Sequence, residues 1–454
     1  MKTKDMTKGH SAGLILKFAL PLIAGNVFQE LYTITDTAIV GQFLGVKALA
    51  AVGGCAWITW MLLASIQGLT QGFSVPVAQE FGAGNIRKVH RNMANSLMLS
   101  VVISVILVVL GQWMLRPLLE LLETPDEIID MTLTYARIYY LGAPIMVAYN
   151  YAACHLRALG NSSAPLKAMI IASVTNIILD ILFVGPFGWG IVGAITATLI
   201  AQVIATVYSF RCLLKLDVVK FVREDFTFDK IKVLRLLYLG VPMLLQNVII
   251  CLGGFVVQYI TNTFGLIYVA AFTATGRMYS LIETAGISYG YAITTYVGQN
   301  MGAGNIRRIS HGVRWGNVLG IATAVIIGVA LIVFGRNLLT MFIKSGSENF
   351  EETMYVAYFY LKVMCTTLPI LYILHVYRSA LNGLGNGSIP MFSGVAELVM
   401  RVSSAMILPE LFGRKYLTFA EPIAWFGAVI VLVVGYYVLF GRVKKHHALS
   451  ENKI

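Results

Sequence analysis

The phrase FGAGNIRKVH at residues 81–90 recurs as MGAGNIRRIS at residues 301–310, and each copy follows a long apolar stretch. The correspondence extends well beyond the phrase at a nearly constant spacing. It pairs Pro21 with Pro242, Asn26 with Asn247, Gly45 with Gly265, Gln79 with Gln299, and Leu159-Gly160-Asn161 with Leu384-Gly385-Asn386. Duplicated hydrophobic units with helix breakers at corresponding positions are typical of secondary transporters, in which the substrate path lies between the two halves. The sequence therefore predicts two copies of one membrane unit.

The composition indicates the surroundings of the chain. Of its 454 residues, 57% are hydrophobic and only 12% are charged, and the mean hydropathy is +0.76. A soluble domain carries about 25% charged residues, because its surface must face water. These values exclude a soluble domain and indicate a polytopic membrane protein.

Hydropathy predicts twelve apolar spans, each about 20 residues or longer, as a hydrocarbon core of about 30 Å requires. Only helices can form such a continuous series, since open strands would leave backbone N–H and C=O groups unpaired in lipid. The predicted fold class is therefore an all-α polytopic membrane protein with twelve transmembrane helices in two pseudo-symmetric lobes of six. The spans are placed at 14–40, 47–74, 92–115, 129–152, 164–184, 190–214, 236–262, 267–295, 313–335, 353–376, 389–409 and 421–441.

The basic residues predict the orientation in the membrane. If the N-terminus is cytoplasmic, the loops on the same side carry most of the Lys and Arg residues, including Arg87, Lys88, Arg307 and Arg308. This distribution follows the positive-inside rule, so both termini are expected in the cytoplasm. The protein itself is expected in the plasma membrane. The net charge of +12 is then explained by topology and by contact with lipid headgroups, and it does not indicate nucleic-acid binding.

The longest charged stretch, residues 216–235, joins the halves and predicts a cytoplasmic linker between two lobes. The N-lobe would comprise residues 1–215 with helices 1 to 6, and the C-lobe residues 236–454 with helices 7 to 12 and a cytoplasmic tail. The five cysteines lie singly in or beside apolar spans, without CxxC spacing or histidine partners. They indicate neither a disulfide nor a metal site, and no cofactor is expected.

A charged group inside an apolar span costs about 2.5–3.5 kcal/mol on insertion scales, so each one needs a physical reason. Asp36 lies in the first span, fifteen residues after Pro21. Pro21 should kink that helix and release a carbonyl group near the middle of the membrane. The alternative is that Asp36 lies at the outer helix end in water.

A second aspartate, Asp180, lies in the fifth span with Asn176 one turn earlier on the same face. The first and fifth spans run in the same direction, so both aspartates are expected at similar depth in the outer half of the membrane. Two buried carboxylates repel one another and need a proton or a cation to neutralise them. Sodium would suit equally if Asn176 and a hydroxyl such as that of Thr198 supplied further oxygen ligands. The alternative is two unrelated polar residues, each satisfied locally.

These features together resemble one known family. The pattern P-x14-D in the first span followed by TAIVGQFLG, the loop FGAGN, LRALGNSSAP leading into NIILD, and VGQNMGAGN are similar to the motifs of the multidrug and toxic compound extrusion (MATE) family. The resemblance covers essentially the whole chain. It implies a two-lobed antiporter that exports organic cations or amphiphiles in exchange for protons or sodium. The DinF-like kind has its coupling site in the N-lobe, and the resemblance implies that Asp36, Asn176, Asp180 and Thr198 form this site here.

The C-lobe departs from the NorM-like kind of the same family. That kind has a glutamate eight residues after the proline of helix 7 and an aspartate in helix 10. Here the first position is Ile250. The stretch of helix 10 from Tyr355 to Val376 contains no Asp or Glu. A C-lobe sodium site of that type is not expected, and coupling is predicted in the N-lobe alone.

The second half nevertheless has ionisable residues of its own. Glu397 and Arg401 are four residues apart in the eleventh span and predict a structural ion pair, with a transport role as the alternative. Glu283 in the eighth span is the leading candidate for recognising a cationic substrate; a satisfied core carboxylate or a second proton site is the alternative. Gln29 and Glu30 in the first span are candidates to line the cavity, although Glu30 could instead pair with a basic residue near the cytoplasm.

The motifs of several enzyme classes are absent from the sequence. There is no Ser-His-Asp arrangement, HExxH motif or cysteine cluster, and GAGN is too short for a phosphate loop. We therefore expect no enzyme but a secondary active antiporter for organic cations, drugs or amphiphilic metabolites. The alternatives are a flippase for lipid-linked sugars of the same superfamily and a non-transporting membrane scaffold or sensor. The expected partners are a small-molecule substrate and membrane lipids, and the expected state is a monomer.

Overall fold

A computed structural model describes residues 3–122, 124–343 and 349–451, and all regular secondary structure within them is helical. The helices of the first repeat are α1 (Ser11–Gly54), α2 (Ala56–Gly82), α3 (Ile86–Leu121), α4 (Asp126–Leu141), α5 (Ala143–Ala158), α6 (Ser163–Val184) and α7 (Gly190–Leu214). Those of the second repeat are α8 (Lys230–Thr263), α9 (Leu266–Gly302), α10 (Ile306–Leu339), α11 (Phe350–Gly383), α12 (Ser388–Phe412) and α13 (Ala420–Glu451). Short 3-10 turns occupy Arg223–Phe226 and Arg414–Phe419.

The helices account for all twelve predicted spans. Ten helical stretches of the described residues are long and apolar enough to cross a membrane. The other two predicted spans coincide with α9, which is rich in Thr, Ser and Gly, and with α4 and α5 together. Those two helices meet at Gly142 because Pro144, in the first turn of α5, has no N–H to continue the helical ladder. The predicted all-α, twelve-span fold is confirmed, with the fourth span broken into two helices.

The junction between the first and second spans lies inside α1. The two parts meet at Gly45, where φ is 81° and ψ is −174°. Its repeat counterpart Gly265 has φ 92° and ψ −179° immediately before α9. A side chain would strain the backbone at such a φ, whereas glycine adopts it freely. The same irregular backbone therefore recurs at the same place in both repeats.

The two GAGN phrases also share one conformation. Gly84 and Gly304 have φ values of 75° and 70°. The N–H groups of Asn85 and Asn305 each donate to the carbonyl five residues earlier at 2.9 Å. This is the hydrogen bond that closes a helix in front of a left-handed glycine. GAGN therefore ends one helix and begins the next, as a tight turn.

The two Leu-Gly-Asn phrases match in the same way. Gly160 and Gly385 have φ values of 84° and 85°. The Oδ1 atoms of Asn161 and Asn386 each accept a backbone N–H three residues later at 3.0 Å. Each asparagine thus satisfies one of the N–H groups that a helix start leaves without a partner, in α6 and in α12.

Packing divides the chain into two compact units. One unit contains Met1–Asp5 and Leu20–Leu244, and the other contains Met6–Ala19 and Leu245–Ile454. The first turns of α1 therefore belong with the second unit, and the first turns of α8 belong with the first. This division reflects packing, whereas residues 216–235 remain the predicted linker along the sequence.

The segments at the starts of α1 and α8 are held by matching side chains. Within the second unit, the Met6 N–H donates to Gln299 Oε1 at 2.8 Å, and Asn300 Nδ2 donates to the Met6 carbonyl at 3.1 Å. Within the first unit, Arg235 Nη2 donates to Gln79 Oε1 at 2.8 Å. Because Gln79 and Gln299 are repeat counterparts, the glutamine just before each GAGN turn performs the same task in both units.

Within the first unit, α2 and the start of α8 are in backbone contact. A Cβ atom added at Gly72 would lie 2.5 Å from Gly240 Cα, and one added at Gly68 would lie 2.7 Å from the Met243 carbonyl oxygen. Neither neighbour is a flexible side chain that could move aside. Glycine at both positions therefore sets how closely the two helices approach.

We predict that Gly72→Ala lowers the stability of the protein, because the added methyl group must push two backbones apart. Overpacking of this kind costs about 1–3 kcal/mol. The measurement is the melting temperature of the detergent-purified variant, followed by tryptophan fluorescence. Gly53→Ala is the matched control, since a Cβ atom there meets nothing within 4 Å. Equal melting temperatures for the two variants would contradict the proposed contact.

Candidate functional site

Two aspartates face each other in the interior of the first unit. Asp36 on α1 and Asp180 on α6 are 9% and 0% exposed. Their carboxyl groups lie close enough to interact directly. The burial of Asp36 disagrees with the alternative interpretation, in which it faces water at a helix end.

Asn176 and Thr198 adjoin this pair. Asn176 precedes Asp180 by one turn on α6, lies beside its carboxyl group and is 1% exposed. Its Nδ2 donates to Thr198 Oγ1 on α7 at 3.2 Å. The structure therefore brings the predicted residues Asp36, Asn176, Asp180 and Thr198 into one group, supplied by three helices.

Four buried oxygen atoms of this group have no hydrogen-bond partner. They are Oδ1 of Asp36, Oδ1 of Asn176 and both carboxyl oxygens of Asp180. A buried acceptor without a donor costs about 1–3 kcal/mol, and more when it is charged. Among the described residues, no group of three or more His, Cys, Asp and Glu forms a metal centre. The donor set consists of oxygen atoms alone and suits a proton or a hard monovalent cation.

Two tyrosines near the pair were missed by the sequence analysis. The side chains of Tyr32 on α1 and Tyr135 on α4 lie within electrostatic range of the Asp36 carboxyl group. Tyr32 precedes Asp36 by one helical turn, so the i, i+4 spacing could have indicated it. The proximity of Tyr135 to Asp36 depends on how α4 packs, and no local pattern in the sequence encodes that packing.

The stretch of α1 that leads to Asp36 has an unusual run of hydrogen bonds. The hydroxyl groups of Thr33, Thr35 and Thr37 each donate to the carbonyl four residues earlier, at 3.0, 2.9 and 2.8 Å. Such bonds compete with the helical ladder and tend to bend a helix. Pro21 lies earlier in α1 with helical dihedral angles, and the kink predicted there stays a prediction.

Gln29 and Glu30 lie on α1 between Pro21 and the run of threonines that begins at Thr33, and both are partly buried. The Gln29 carbonyl accepts the hydrogen bond of Thr33. Glu30 lies within electrostatic range of Tyr32. Their assignment to a substrate cavity stays a prediction.

The second unit contains a buried ionic network on α11, α12 and α13. Arg401 Nη2 lies 2.8 Å from Glu397 Oε1, the pairing predicted from their spacing. Arg378 Nη2 lies 2.8 Å from Glu397 Oε2, and Arg401 Nη2 lies 2.7 Å from Glu421 Oε2. Two guanidinium groups and two carboxylates thus neutralise each other away from water.

Arg401 also contacts the part of α8 where the NorM-like kind has its glutamate. Its Nη1 donates to the Ile250 carbonyl at 3.2 Å. A Cβ atom added at Gly253 would lie 2.8 Å from the same nitrogen. The guanidinium group therefore packs directly against the backbone of α8 at Ile250 and Gly253. At Ile250, this chain offers a backbone carbonyl oxygen and no carboxylate.

Glu283 on α9 has a neighbour that the sequence analysis did not indicate. His375 Nε2 on α11 lies 3.9 Å from Glu283 Oε1, and their side chains are 12% and 32% exposed. Tyr279, one turn earlier on α9, also interacts with the Glu283 carboxyl group. His375 is the repeat counterpart of Asn150 at the same spacing that pairs Arg137 with Lys362. An ionisable residue in place of a neutral one is a signal that comparing the repeats could have revealed.

Comparison with known proteins agrees with this architecture. The MatE family profile matches residues 21–182 and 242–407, which is more than half of the chain and includes both repeats. The chain belongs to the MATE family. A probable multidrug resistance protein, YpnP of Bacillus subtilis, is 31% identical to it over 363 residues, or 79% of this chain and 81% of that protein. An FAD transporter of Shewanella oneidensis is 25% identical over 418 residues, or 90% of this chain and 91% of that protein.

Solved structures show the same fold. The crystal structure of a MATE protein in complex with MaL6 has a TM-score of 0.91 at 23% identity, over 98% of this chain and 100% of that one. An outward-facing MATE family transporter has a TM-score of 0.90 at the same identity and coverage. The family resemblance is confirmed, and the chain is a multi-pass membrane protein of a family of transporters rather than enzymes. The coupling residues, the ion and the substrate stay predictions.

We predict that Glu397→Gln strongly destabilises this MATE protein, because Arg378 and Arg401 both lose a buried counter-charge. Removing one partner of a buried pair costs about 3–5 kcal/mol. Glu120→Gln is the matched control, since Arg116 and Glu120 have the same four-residue spacing at 3.0 Å but are 59% and 56% exposed. Exposed pairs contribute little to stability, so this control should melt as the unaltered protein does. Similar melting temperatures for both variants would show that the network does not stabilise the fold.

Proposed function

We propose that the chain is a secondary active antiporter that exports organic cations, drugs or amphiphilic metabolites in exchange for protons or sodium ions. The observation that carries this proposal is the set of unpartnered buried oxygen atoms on Asp36, Asn176 and Asp180. A group of this kind needs an external proton or cation for its neutralisation. The transporter family to which the chain belongs supports export as the purpose of that binding.

The proposed cycle links this neutralisation to the conformation of α1. An ion that enters from the outer side removes the repulsion between Asp36 and Asp180. The helix can then bend between Pro21 and Asp36, where the threonine hydroxyls already compete for backbone carbonyl groups. Shifting a two-state equilibrium from 1:99 to 99:1 takes about 5.5 kcal/mol. Buried carboxylates can supply energies of this size, since each costs several kcal/mol when charged and unpaired.

A proton and a sodium ion make different demands on the site. A proton needs only the two carboxyl groups. Sodium needs several oxygen ligands, and Asn176 and Thr198 would supply the additional ones. Thr198→Val removes the hydroxyl group while nearly preserving the shape of the side chain. This variant is therefore expected to weaken sodium-driven transport and to leave proton-driven transport largely intact.

Substrate recognition is proposed for Glu283, with Gln29 and Glu30 as further cavity residues. The Glu283 side chain is 32% exposed, so a substrate could reach its carboxylate. The relatives' names include multidrug resistance proteins and an FAD transporter, which differ in cargo. An accessible carboxylate favours a cationic cargo for this chain. We further propose a monomer in the plasma membrane with both termini in the cytoplasm.

We predict that Asp36→Asn and Asp180→Asn abolish gradient-driven efflux, because a neutral amide cannot take up and release a coupling ion. Purified protein is reconstituted into vesicles, and the movement of ethidium is followed by its fluorescence under a proton gradient or a sodium gradient. Asp130→Asn is the matched control, since Asp130 is exposed near the start of α4.

The gradient that drives transport identifies the ion, and Thr198→Val tests the assignment of its ligands. Ethidium efflux at the normal rate in Asp36→Asn would overturn the coupling site. Efflux under neither gradient, with folded protein and an intact control, would overturn antiport of an organic cation.

A further inference from the structure

The basic residues that follow the GAGN turn of the first unit lie next to acidic residues. Arg87 Nη2 is 3.5 Å from Glu224 Oε2, and Lys88 Nζ is 3.9 Å from Glu80 Oε2. Glu224 belongs to the predicted linker, and Glu80 lies in the last turn of α2. The first unit therefore supplies its own counter-charges at this turn.

The same turn of the second unit keeps the positive charges and lacks the negative ones. Arg307 and Arg308 are the repeat counterparts of Arg87 and Lys88, and an amide, Asn300, replaces the glutamate of α2. Arg308 Nε donates to Asn300 Oδ1 at 3.1 Å, so its guanidinium group is held there without being neutralised. Arg307 is exposed and forms no ion pair with any described residue.

More basic residues lie at the same end of the second unit. Arg314 follows Arg307 by seven residues, so both lie on one face of α10, and Arg314 is also exposed. The end of α13 reaches the turn, because a Cβ atom added at Gly304 would lie 3.6 Å from His447 Cε1. Lys444 precedes His447 by three residues on the same face of α13 and is exposed. Two helices therefore bring basic side chains to one end of this unit.

The stretches of sequence to which these residues belong contain no acidic residue. No Asp or Glu occurs at residues 284–347 or 422–450. The Lys and Arg residues at this end of the second unit are Arg307, Arg308, Arg314, Arg442, Lys444 and Lys445. In the first unit, the linker alone supplies Asp217, Glu224, Asp225 and Asp229. The positive charge at the end of the second unit is therefore available to an external anion.

The basic residues lie at the expected depth of lipid phosphate groups. Arg307 precedes the predicted span 313–335 by six residues, and Lys444 follows the predicted span 421–441 by three. Long basic side chains so close to a span end reach the headgroup region. The cytoplasmic leaflet, which the predicted orientation places at this end, has a negative surface potential that attracts such residues.

The basic face of α10 continues into an apolar one. Val318, Val325 and Val329 follow Arg314 at helical spacing and are 47%, 48% and 56% exposed. A soluble anion would use the basic part of this face alone. A lipid would use all of it, with the phosphate group at Arg307 and Arg314 and an acyl chain along the valines. The shape of this surface therefore favours an amphiphile.

We propose that this end of the second unit, with Arg307, Arg314 and Lys444, is a binding surface for an anionic phospholipid, and that the matching turn of the first unit is not. Charge attraction at the ends of α10 and α13 holds the headgroup. The proposal goes beyond the proposed antiport and does not depend on the cargo or the coupling ion. It assigns the lipid contact to one unit of a duplicated fold.

The test is lipid binding to the full-length protein in detergent, measured by native mass spectrometry, which resolves each lipid retained. Three probes separate the sources of affinity. Phosphatidylglycerol has a net negative charge and acyl chains, phosphatidylcholine has the same phosphate group without net charge, and tripolyphosphate has charge without acyl chains. We expect phosphatidylglycerol to bind at least about tenfold more tightly than either of the others. Added salt should weaken its binding, because exposed charges are screened.

The variant that tests the surface is Arg307→Gln with Lys444→Gln. Each basic residue near a charged membrane surface strengthens attraction about fivefold, so phosphatidylglycerol binding should weaken at least about tenfold. Arg87→Gln with Lys88→Gln is the matched control, because it removes the same net charge from the turn of the first unit. This control should bind phosphatidylglycerol as the unaltered protein does. Equal melting temperatures of both variants and the unaltered protein report an intact fold.

Three results would overturn the proposal. Equal weakening in the two double variants would mean that net charge, and not this surface, attracts the lipid. Equal affinity for phosphatidylglycerol and phosphatidylcholine would mean that the charge is not recognised. Displacement of phosphatidylglycerol by tripolyphosphate of equal or higher affinity would assign the surface to a soluble anion. Binding is measured without an ion gradient, so none of these results bears on the ethidium efflux test of antiport, and failure of antiport would leave this proposal standing.

Discussion

Hydrocarbon offers no hydrogen-bond partner to the peptide backbone, and this constraint governs where the chain can bend. The bends of the two repeats lie at equivalent glycines, Gly45 with Gly265 and Gly84 with Gly304. At the GAGN turns, a bond across five residues satisfies the end of the preceding helix. Because the solutions to this constraint are few, both repeats keep them although most other side chains differ. The same breaks therefore divide both repeats into helices at equivalent positions.

The same constraint applies to side chains, and there the repeats differ. Asn176 in the first repeat corresponds to Arg401 in the second. The first adjoins two carboxyl groups whose buried oxygen atoms lack partners, whereas the second is paired with Glu397 and Glu421. The same backbone position thus adjoins carboxyl groups without a positive partner in the first repeat. In the second repeat it carries the positive partner, Arg401, itself. The fold accommodates both, so the proposed location of ion binding is a property of these side chains and not of the architecture.

The sequence predicts most of the helices and the N-lobe group because both depend on periodicity and depth. The sequence predicts Asp36 and Asp180 at similar depth on helices that run in the same direction, and helix packing brings residues of equal depth together. Arg378 lies just beyond the predicted span 353–376 and Glu421 at the start of the predicted span 421–441, because hydropathy averaged over a window does not fix a helix end to within one turn. Residues 353–376 and 421–441 were the predicted spans, whereas α11 and α13 extend over Phe350–Gly383 and Ala420–Glu451. The proximity of His375 to Glu283 depends on how α9 packs on α11, which local spacing does not encode.

The proposed coupling at Asp36 and Asp180 would act through the equilibrium between two conformations. An ion bound there would favour one conformation, and the coupling energy would equal its differential affinity for the two states. A device of this kind permits slippage whenever the disfavoured state is populated. Tight exchange therefore requires that the ion favour one state by several kcal/mol, which is about the energy that a buried, unpaired carboxylate would otherwise cost.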